Sequence, residues 1–220
     1  MTHPSTWEVY LVTDRSLSRG RSTREIVEAA VRGGVSAVQL REKDLDTRSF
    51  LEEGRSVREI LRASGVPLII NDRIDVALAL DADGVHLGLS DMPADIARRL
   101  LGPDRIIGLS VEGPEHLTSQ ETAYADYLAI SPVFLTLTKT DLKKAWGLDG
   151  LRGARSLTGL PLVAIGSVKH ENAKQVTEAG ADCVAVVTAI TAAENPEQAA
   201  RLLLEEVRAG KAGRLQSLDT

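Results

Sequence analysis

Two short stretches and their neighbours carry most of the chemistry in this chain. Gln39-Leu40-Arg41-Glu42-Lys43 ends an apolar run, and a period of two places Gln39, Arg41 and Lys43 on one face, where an amide and two cations converge. Asn71-Asp72-Arg73 and Ser90-Asp91-Met92-Pro93 each bring one carboxylate from the ends of the next two runs, and Ser110 adds a hydroxyl after the fifth. Carboxylates beside cations suit a divalent metal with a phosphate-bearing ligand, because Mg²⁺ takes one or two carboxylates and fills its remaining positions with water and phosphate oxygens. The plainer alternative is a helix cap, since Asp72 precedes an apolar-periodic stretch and Asp91 precedes one opened by Pro93. Arg41 and Lys43 could likewise be solvated charges contributing little.

A second set of residues suits an anion. The loop 131–148 carries hydroxyls at Thr136 and Thr138 on either side of Leu137, followed by Lys139, a short cradle that could equally be a threonine-rich turn bonding its own backbone. Gly166 and the pair Val187-Thr188 stand where two further runs end, where glycine permits close backbone approach and helix amino ends offer N–H groups. Two phosphate-bearing reactants are therefore expected. The loop is also long enough to close over them, with Trp146 as a hinge or lid contact. Other candidates are weaker: His86 reads as a satisfied interior histidine, His3, His116 and His170 lack a partner at ligand spacing, and Lys174 and Lys211 read as solvated charge. Cys183 has no basic neighbour in sequence to activate it.

What must position these residues is a regular alternation. Eight β-branched runs, at 9–13, 35–40, 67–70, 84–87, 105–109, 126–130, 161–165 and 182–187, are separated by stretches with apolar residues at helical spacing. About 27 residues per unit is close to the minimum for a parallel (β/α)8 barrel of the triosephosphate isomerase type. The entries to the even runs also look alike, as in Ala82-Asp83-Gly84, Ala125-Asp126-Tyr127 and Gly180-Ala181-Asp182, and layers built from alternate strands favour such a distinction. A doubly wound open sheet is the competing architecture. The expected organisation is an N-terminal extension 1–8, one α/β barrel domain 9–208 whose last helix is capped by Asn195 and opened by Pro196, and a tail 209–220 with few apolar anchors that frays.

Composition narrows the class. With 43% hydrophobic and 26% charged residues among 220, the chain is neither disordered nor fibrous. No apolar run reaches the roughly 18 residues of a membrane span. A net charge of −5 with scattered basic residues argues against nucleic acid as a partner, and one cysteine points to a reducing compartment, by default the cytoplasm.

These motifs resemble the thiamine phosphate synthase family over residues 9 to about 207. The resemblance rests on Tyr10-Leu11-Val12-Thr13-Asp14, Gln39 to Lys43, Asn71-Asp72-Arg73, Gly84-Val85-His86-Leu87-Gly88, Asp91-Met92-Pro93, Ser131-Pro132-Val133-Phe134, Thr136, Thr138, Lys139, and Ala164-Ile165-Gly166. It implies a small barrel enzyme, compatible with a homo-oligomer, that joins a hydroxymethylpyrimidine diphosphate to a thiazole phosphate or its carboxylated tautomer and releases diphosphate. By position, Gln39, Leu40, Arg41, Glu42, Lys43, Asn71, Ser110 and Lys139 would hold the pyrimidine diphosphate. Arg41, Lys43, Lys139 and Ser110 would carry the catalysis, and Asp72 and Asp91 would bind Mg²⁺. Thr136, Leu137, Thr138, Gly166, Val187 and Thr188 would hold the thiazole phosphate. Leu89, Leu135 and Ser167 depart from the family's usual Gln, Pro or Ala, and Gly. The competing activities are a thiazole tautomerase on the same barrel and a non-catalytic thiamine phosphate sensor; retention of every charged residue argues against both.

Overall fold

The computed structural model describes residues 3–135 and 144–218. Eight strands, β1 (Val9–Val12), β2 (Ala37–Leu40), β3 (Leu68–Asn71), β4 (Gly84–Leu87), β5 (Ile106–Val111), β6 (Tyr127–Ile130), β7 (Leu162–Ile165) and β8 (Cys183–Val186), pair in sequence order. Each pairing is parallel, and β8 returns to β1 through Val9↔Val184 and Tyr10↔Ala185, closing the ring. Each expected run overlaps one strand, with β3 and β5 extending one and two residues past theirs, and the ring excludes the open sheet. Around it lie α1 (Thr23–Arg32), α2 (Thr47–Ser64), α3 (Ile74–Leu80), α4 (Ala94–Leu101), α5 (Pro114–Leu117), α6 (Gly147–Leu157), α7 (His170–Glu178), α8 (Thr188–Thr191) and α9 (Pro196–Leu218).

Alternation along each strand divides the apolar residues into two cores. Val9, Leu11, Val38, Leu40, Ile70, Val85, Leu87 and their equivalents face outward and bury against the helices. Tyr10, Val12, Ala37, Ile69, Tyr127, Ala129, Val163, Cys183 and Ala185 face into the barrel, where Trp7 joins them from the segment before β1. Trp7 packs against Tyr10 and Tyr127 with ring centroids 5.2 and 5.3 Å away, so three aromatic rings form a floor at the amino ends of the strands. Gly108 makes room for this floor, because a Cβ there would overlap the Tyr127 ring.

The likeness among even-strand entries has a cause. Ser36 Oγ accepts from the backbone N–H of Glu8 and Val9, at 2.7 and 3.1 Å. Asp83, Asp126 and Asp182 accept in the same way from Leu68, Ile107 and Leu162, at 2.8, 2.7 and 2.9 Å. The residue before or at the start of each even strand thus satisfies an N–H at the start of the odd strand before it, a donor with no ladder partner otherwise. Asp126 and Asp182 are held in turn by Arg98, Arg155 and Arg214.

The C-terminal segment continues as helix past Ala209 to Leu218 rather than as a loose tail. Asn195 Oδ1 caps α9 by accepting from Gln198 N at 3.0 Å, and the helix runs on to Leu218. Gly210 lies against the Lys174 carbonyl and Thr177 of α7, closer than any Cβ would permit. Lys211, expected to be solvated, donates to the Trp7 carbonyl at 3.0 Å, and Arg214 reaches Asp182 at 2.9 Å. Polar anchors hold the segment where apolar ones are sparse.

Candidate active site

The carboxyl ends of the strands open into a cavity of about 1030 Å³ including its mouth. Gln39, Asn71, His86 and Ser110 line one side, each at an inward-facing strand position, and Arg41 stands just beyond β2. The opposite wall is formed by Ile165 to Lys169 and by Val186 to Ala189. The fold thus brings together Gln39, Arg41, Asn71, Ser110, Gly166, Val187 and Thr188, as their spacing led one to expect. Leu40 does not join them: its side chain belongs to the outer core, since alternation turns it toward the helices. Glu42 is absent from the cavity wall too. It faces the Arg15 and Glu53 side, and burial, followed by the charge of Glu53, pushes its carboxyl up to about 7. Thr136, Leu137, Thr138 and Lys139, within the stretch 136–143 of the expected lid, lie outside the described residues.

Asp72, Asp91 and Lys43 do not line the cavity; they follow β3, β4 and β2 at the same carboxyl end of the barrel. Neither aspartate is a helix cap. The cap position of α3 is Arg73 and that of α4 is Pro93, and neither accepts a side-chain capping bond. Asp91 Oδ2 instead accepts from Gly88 N at 2.7 Å, folding the loop so that its carboxyl turns back toward β4. Asp72 adopts a left-handed conformation with φ 60°, and its N–H donates to the His86 carbonyl at 2.9 Å. The two carboxyls oppose one another. Burial first, then the Asp91 carboxylate, raises Asp72 to about 6, against which Lys43 pulls from 3.6 Å. Arg41 Nη1 is held at 3.0 Å from Asp14 Oδ2, and its backbone N–H donates to Thr13 Oγ1 at 3.0 Å. A pair of half-buried carboxyls with one ammonium beside it carries more negative charge than its neighbours neutralise. That is the electrostatic condition a divalent cation with oxygen ligands resolves.

On the opposite wall Gly166 has φ 111°, and a Cβ there would come within 2.6 Å of Pro132 Cβ. Glycine is therefore required for the chain to pass under the loop after β6, where Val133 N and Phe134 N donate to the Ile165 and Gly166 carbonyls at 2.8 and 3.2 Å. Ser167 keeps a left-handed φ of 50° and fastens the same loop by donating to the Leu135 carbonyl at 2.6 Å. Its departure from glycine thus exchanges some conformational strain for a hydrogen bond. Leu89 and Leu135, the other two departures, are exposed at the rim.

Three cavity residues escaped the sequence reading. Lys169, at the cap position of α7, adds a cation to the wall that carries Gly166. Tyr10 and His86 line the cavity from within the barrel; Tyr10 stands two residues before the end of β1 and His86 one before the end of β4, next to Gly88, the signal that could have exposed them. Cys183 is fully buried, and burial raises its thiol well above the ordinary range, which removes it as a nucleophile.

Residues 9–190 match the family model described as thiamine monophosphate synthase. The chain is 50% identical over 202 residues to the thiamine-phosphate synthase of Vibrio campbellii, covering 92% of this chain and 98% of that one. It is 52% identical over 201 residues to the thiamine-phosphate synthase of Albidiferax ferrireducens, covering 91% and 92%. Among solved structures, thiamine phosphate pyrophosphorylase from Pyrococcus furiosus superposes with a TM-score of 0.87 at 37% identity, covering 94% of this chain and 98% of its own.

Proposed function

The chain belongs to the thiamine monophosphate synthase family, and on that premise we propose that it joins 4-amino-2-methyl-5-(diphosphooxymethyl)pyrimidine to a thiazole phosphate, giving thiamine phosphate and diphosphate. The bond that breaks joins the pyrimidine methylene carbon to the diphosphate oxygen, whose electron pair leaves with diphosphate. The bond that forms uses the thiazole nitrogen lone pair, so no proton need be taken and no protein nucleophile is required. The cavity fits this demand: its interior holds neutral hydrogen-bonding groups, while charge is confined to its rim.

Enzymes of this family use a metal ion, and we assign Mg²⁺ to the carboxyls of Asp72 and Asp91, with water and diphosphate oxygens completing its shell. Bound there, it would supply positive charge beside the leaving diphosphate. Arg41 and Lys43 extend that positive field along the mouth, and Lys139 is assigned the same task from the loop after β6. Because such charge is stronger toward the departing diphosphate than toward the intact ester, it lowers the barrier rather than merely tightening binding. Gln39, Asn71 and Ser110 hold the pyrimidine ring, with Leu40 and Glu42 contributing through backbone only. Gly166, Val187 and Thr188, with Thr136 to Thr138, receive the thiazole phosphate near the amino ends of α7 and α8. No helix among the described residues is long and apolar enough to cross a membrane, and a single buried thiol suits the cytoplasm.

The observation that carries this reading is the opposed Asp72–Asp91 pair with the Lys43 ammonium 3.6 Å from Asp72. Incubation with both reactants and Mg²⁺ tests it by diphosphate release. Release that requires the thiazole phosphate and ceases with a chelator supports the synthase. Isomerisation of the thiazole without diphosphate release would establish a tautomerase, and tight binding without turnover would establish a sensor.

A further inference from the structure

A continuous chain of hydrogen bonds crosses the barrel interior beneath the cavity. Gln39 Nε2 donates to Tyr10 Oη at 3.0 Å; Tyr10 Oη lies 3.1 Å from Tyr127 Oη; Tyr127 Oη lies 3.0 Å from His86 Nδ1; and His86 Nε2 lies 3.0 Å from Ser110 Oγ. Four strands, β2, β1, β6 and β4, are joined through it to β5, and its two ends, Gln39 and Ser110, both line the cavity.

With the Gln39 amide nitrogen facing Tyr10, counting protons gives the sense of every link. Burial raises both phenols well above their ordinary range, so each remains a hydroxyl with one proton to place. Tyr10 already accepts from Gln39, and its proton has a partner only if it is donated to Tyr127. Tyr127 then donates to His86 Nδ1, which must be the bare nitrogen, so the proton of the neutral imidazole resides on Nε2 and is donated to Ser110 Oγ. The reverse sense would strand the Tyr10 proton in a fully buried position unless the Gln39 amide also turned over. In either sense the two ends are opposite: one presents an acceptor to the cavity and the other a donor.

We infer that Tyr10, Tyr127 and His86 act together as positioning residues that set the hydrogen-bonding sense at Gln39 and Ser110, leaving the Gln39 amide oxygen to accept and the Ser110 hydroxyl to donate. This inference rests on the proposed substrate for its ligand. A 4-aminopyrimidine edge carries an exocyclic N–H donor beside a ring-nitrogen acceptor, which is the complement of that pair. Mutual polarisation along the chain makes the two contacts interdependent, so the ring is read as one pattern rather than by two separate groups.

The test begins on the free protein. With histidine ¹⁵N-labelled and His86 assigned by comparison with a His86→Gln variant, the ring nitrogens of the parent above pH 7.5 should report a single neutral tautomer protonated on Nε2. Tyr127→Phe keeps the ring of the aromatic floor but cuts the chain beside the imidazole; it should give a mixture of tautomers. It should also raise KM for the pyrimidine diphosphate about tenfold while KM for the thiazole phosphate stays within about twofold. Tyr10→Phe cuts the chain at the other side. It should raise the same KM while leaving the tautomer unchanged, because Tyr127 still has His86 as its acceptor. An Nδ1-protonated His86 or a tautomer mixture in the parent would overturn the inference, as would equal rises of both KM values in the two phenylalanine variants. Should the parent release no diphosphate, the synthase reading fails, and the tautomer measurement still decides the chain because it needs no substrate.

Discussion

Asp72 and Asp91 hold their carboxyls face to face, and burial followed by the neighbouring carboxylate lifts Asp72 from 3.8 to about 6. In the metal-free protein this is a cost. Between those two pH values the folded chain binds a proton that the unfolded chain has released, so the pair's contribution to stability falls as pH rises through that window and is least above it. Asp72→Asn removes the repulsion, and asparagine tolerates the left-handed backbone at this position. Without metal the variant should therefore melt several degrees above the parent at pH 7.5, and the difference should shrink toward pH 4. Turnover should nevertheless fall by about two orders of magnitude, since the metal loses a charged ligand. Scanning calorimetry of both proteins at the two pH values checks the first outcome, and a diphosphate assay the second.

Arg41 is braced by Asp14 at 3.0 Å and aims along the mouth. If it acts on the departing diphosphate, Arg41→Ala should lower kcat by about a hundredfold, near 2.7 kcal/mol of transition-state stabilisation, with thiazole phosphate affinity within about twofold of the parent. Steady-state kinetics with each reactant varied in turn, together with titration of the thiazole phosphate alone, separates the two effects. Asp14→Asn should lower kcat less, because the guanidinium loses its brace and keeps its charge.

Gly108 gives way to Tyr127 inside the barrel, and a methyl group there has to displace a phenol that is packed on both sides. Gly108→Ala should cost about 1–3 kcal/mol by overpacking. Because Tyr127 also belongs to the hydrogen-bonded chain, KM for the pyrimidine diphosphate should rise in the same variant. Urea unfolding and kinetics on one preparation check both.

Gly210 meets the Lys174 carbonyl and Thr177 where α9 crosses α7. Gly210→Ala should destabilise by a similar ~1–3 kcal/mol and leave kcat unchanged, since the crossing is remote from the mouth. Chemical denaturation followed by circular dichroism measures the first, and the diphosphate assay the second.

The strands were readable because outward positions such as Leu11, Val38 and Ile70 pack on helices and must be apolar, which leaves a dense β-branched signal. The likeness among entries to the even strands was readable too, but it was credited to alternate-strand layers, and its cause, an acceptor at Ser36, Asp83, Asp126 or Asp182 serving the neighbouring strand, needed coordinates. Less legible was the division of labour within Gln39 to Lys43. Alternation predicts that Leu40 and Glu42 turn outward, yet a contiguous motif invites treating all five residues alike. His86 was passed over for a related reason. An interior histidine with both nitrogens bonded looks structural in isolation, and only the positions of Tyr10, Tyr127 and Ser110, far apart in the chain, connect it to the cavity. The tail was misjudged because apolar anchors were sought, while Lys211 and Arg214 hold it by hydrogen bonds.

The placement of Lys211 on the Trp7 carbonyl, and of Arg208 on Glu8, brings the segment before β1 and the second half of α9 together under the aromatic floor, at the pole opposite the cavity. A surface linker fixed to either of these two segments would thus hang from the closed pole. The molecule can be tethered there through both at once, with its open mouth facing the solution.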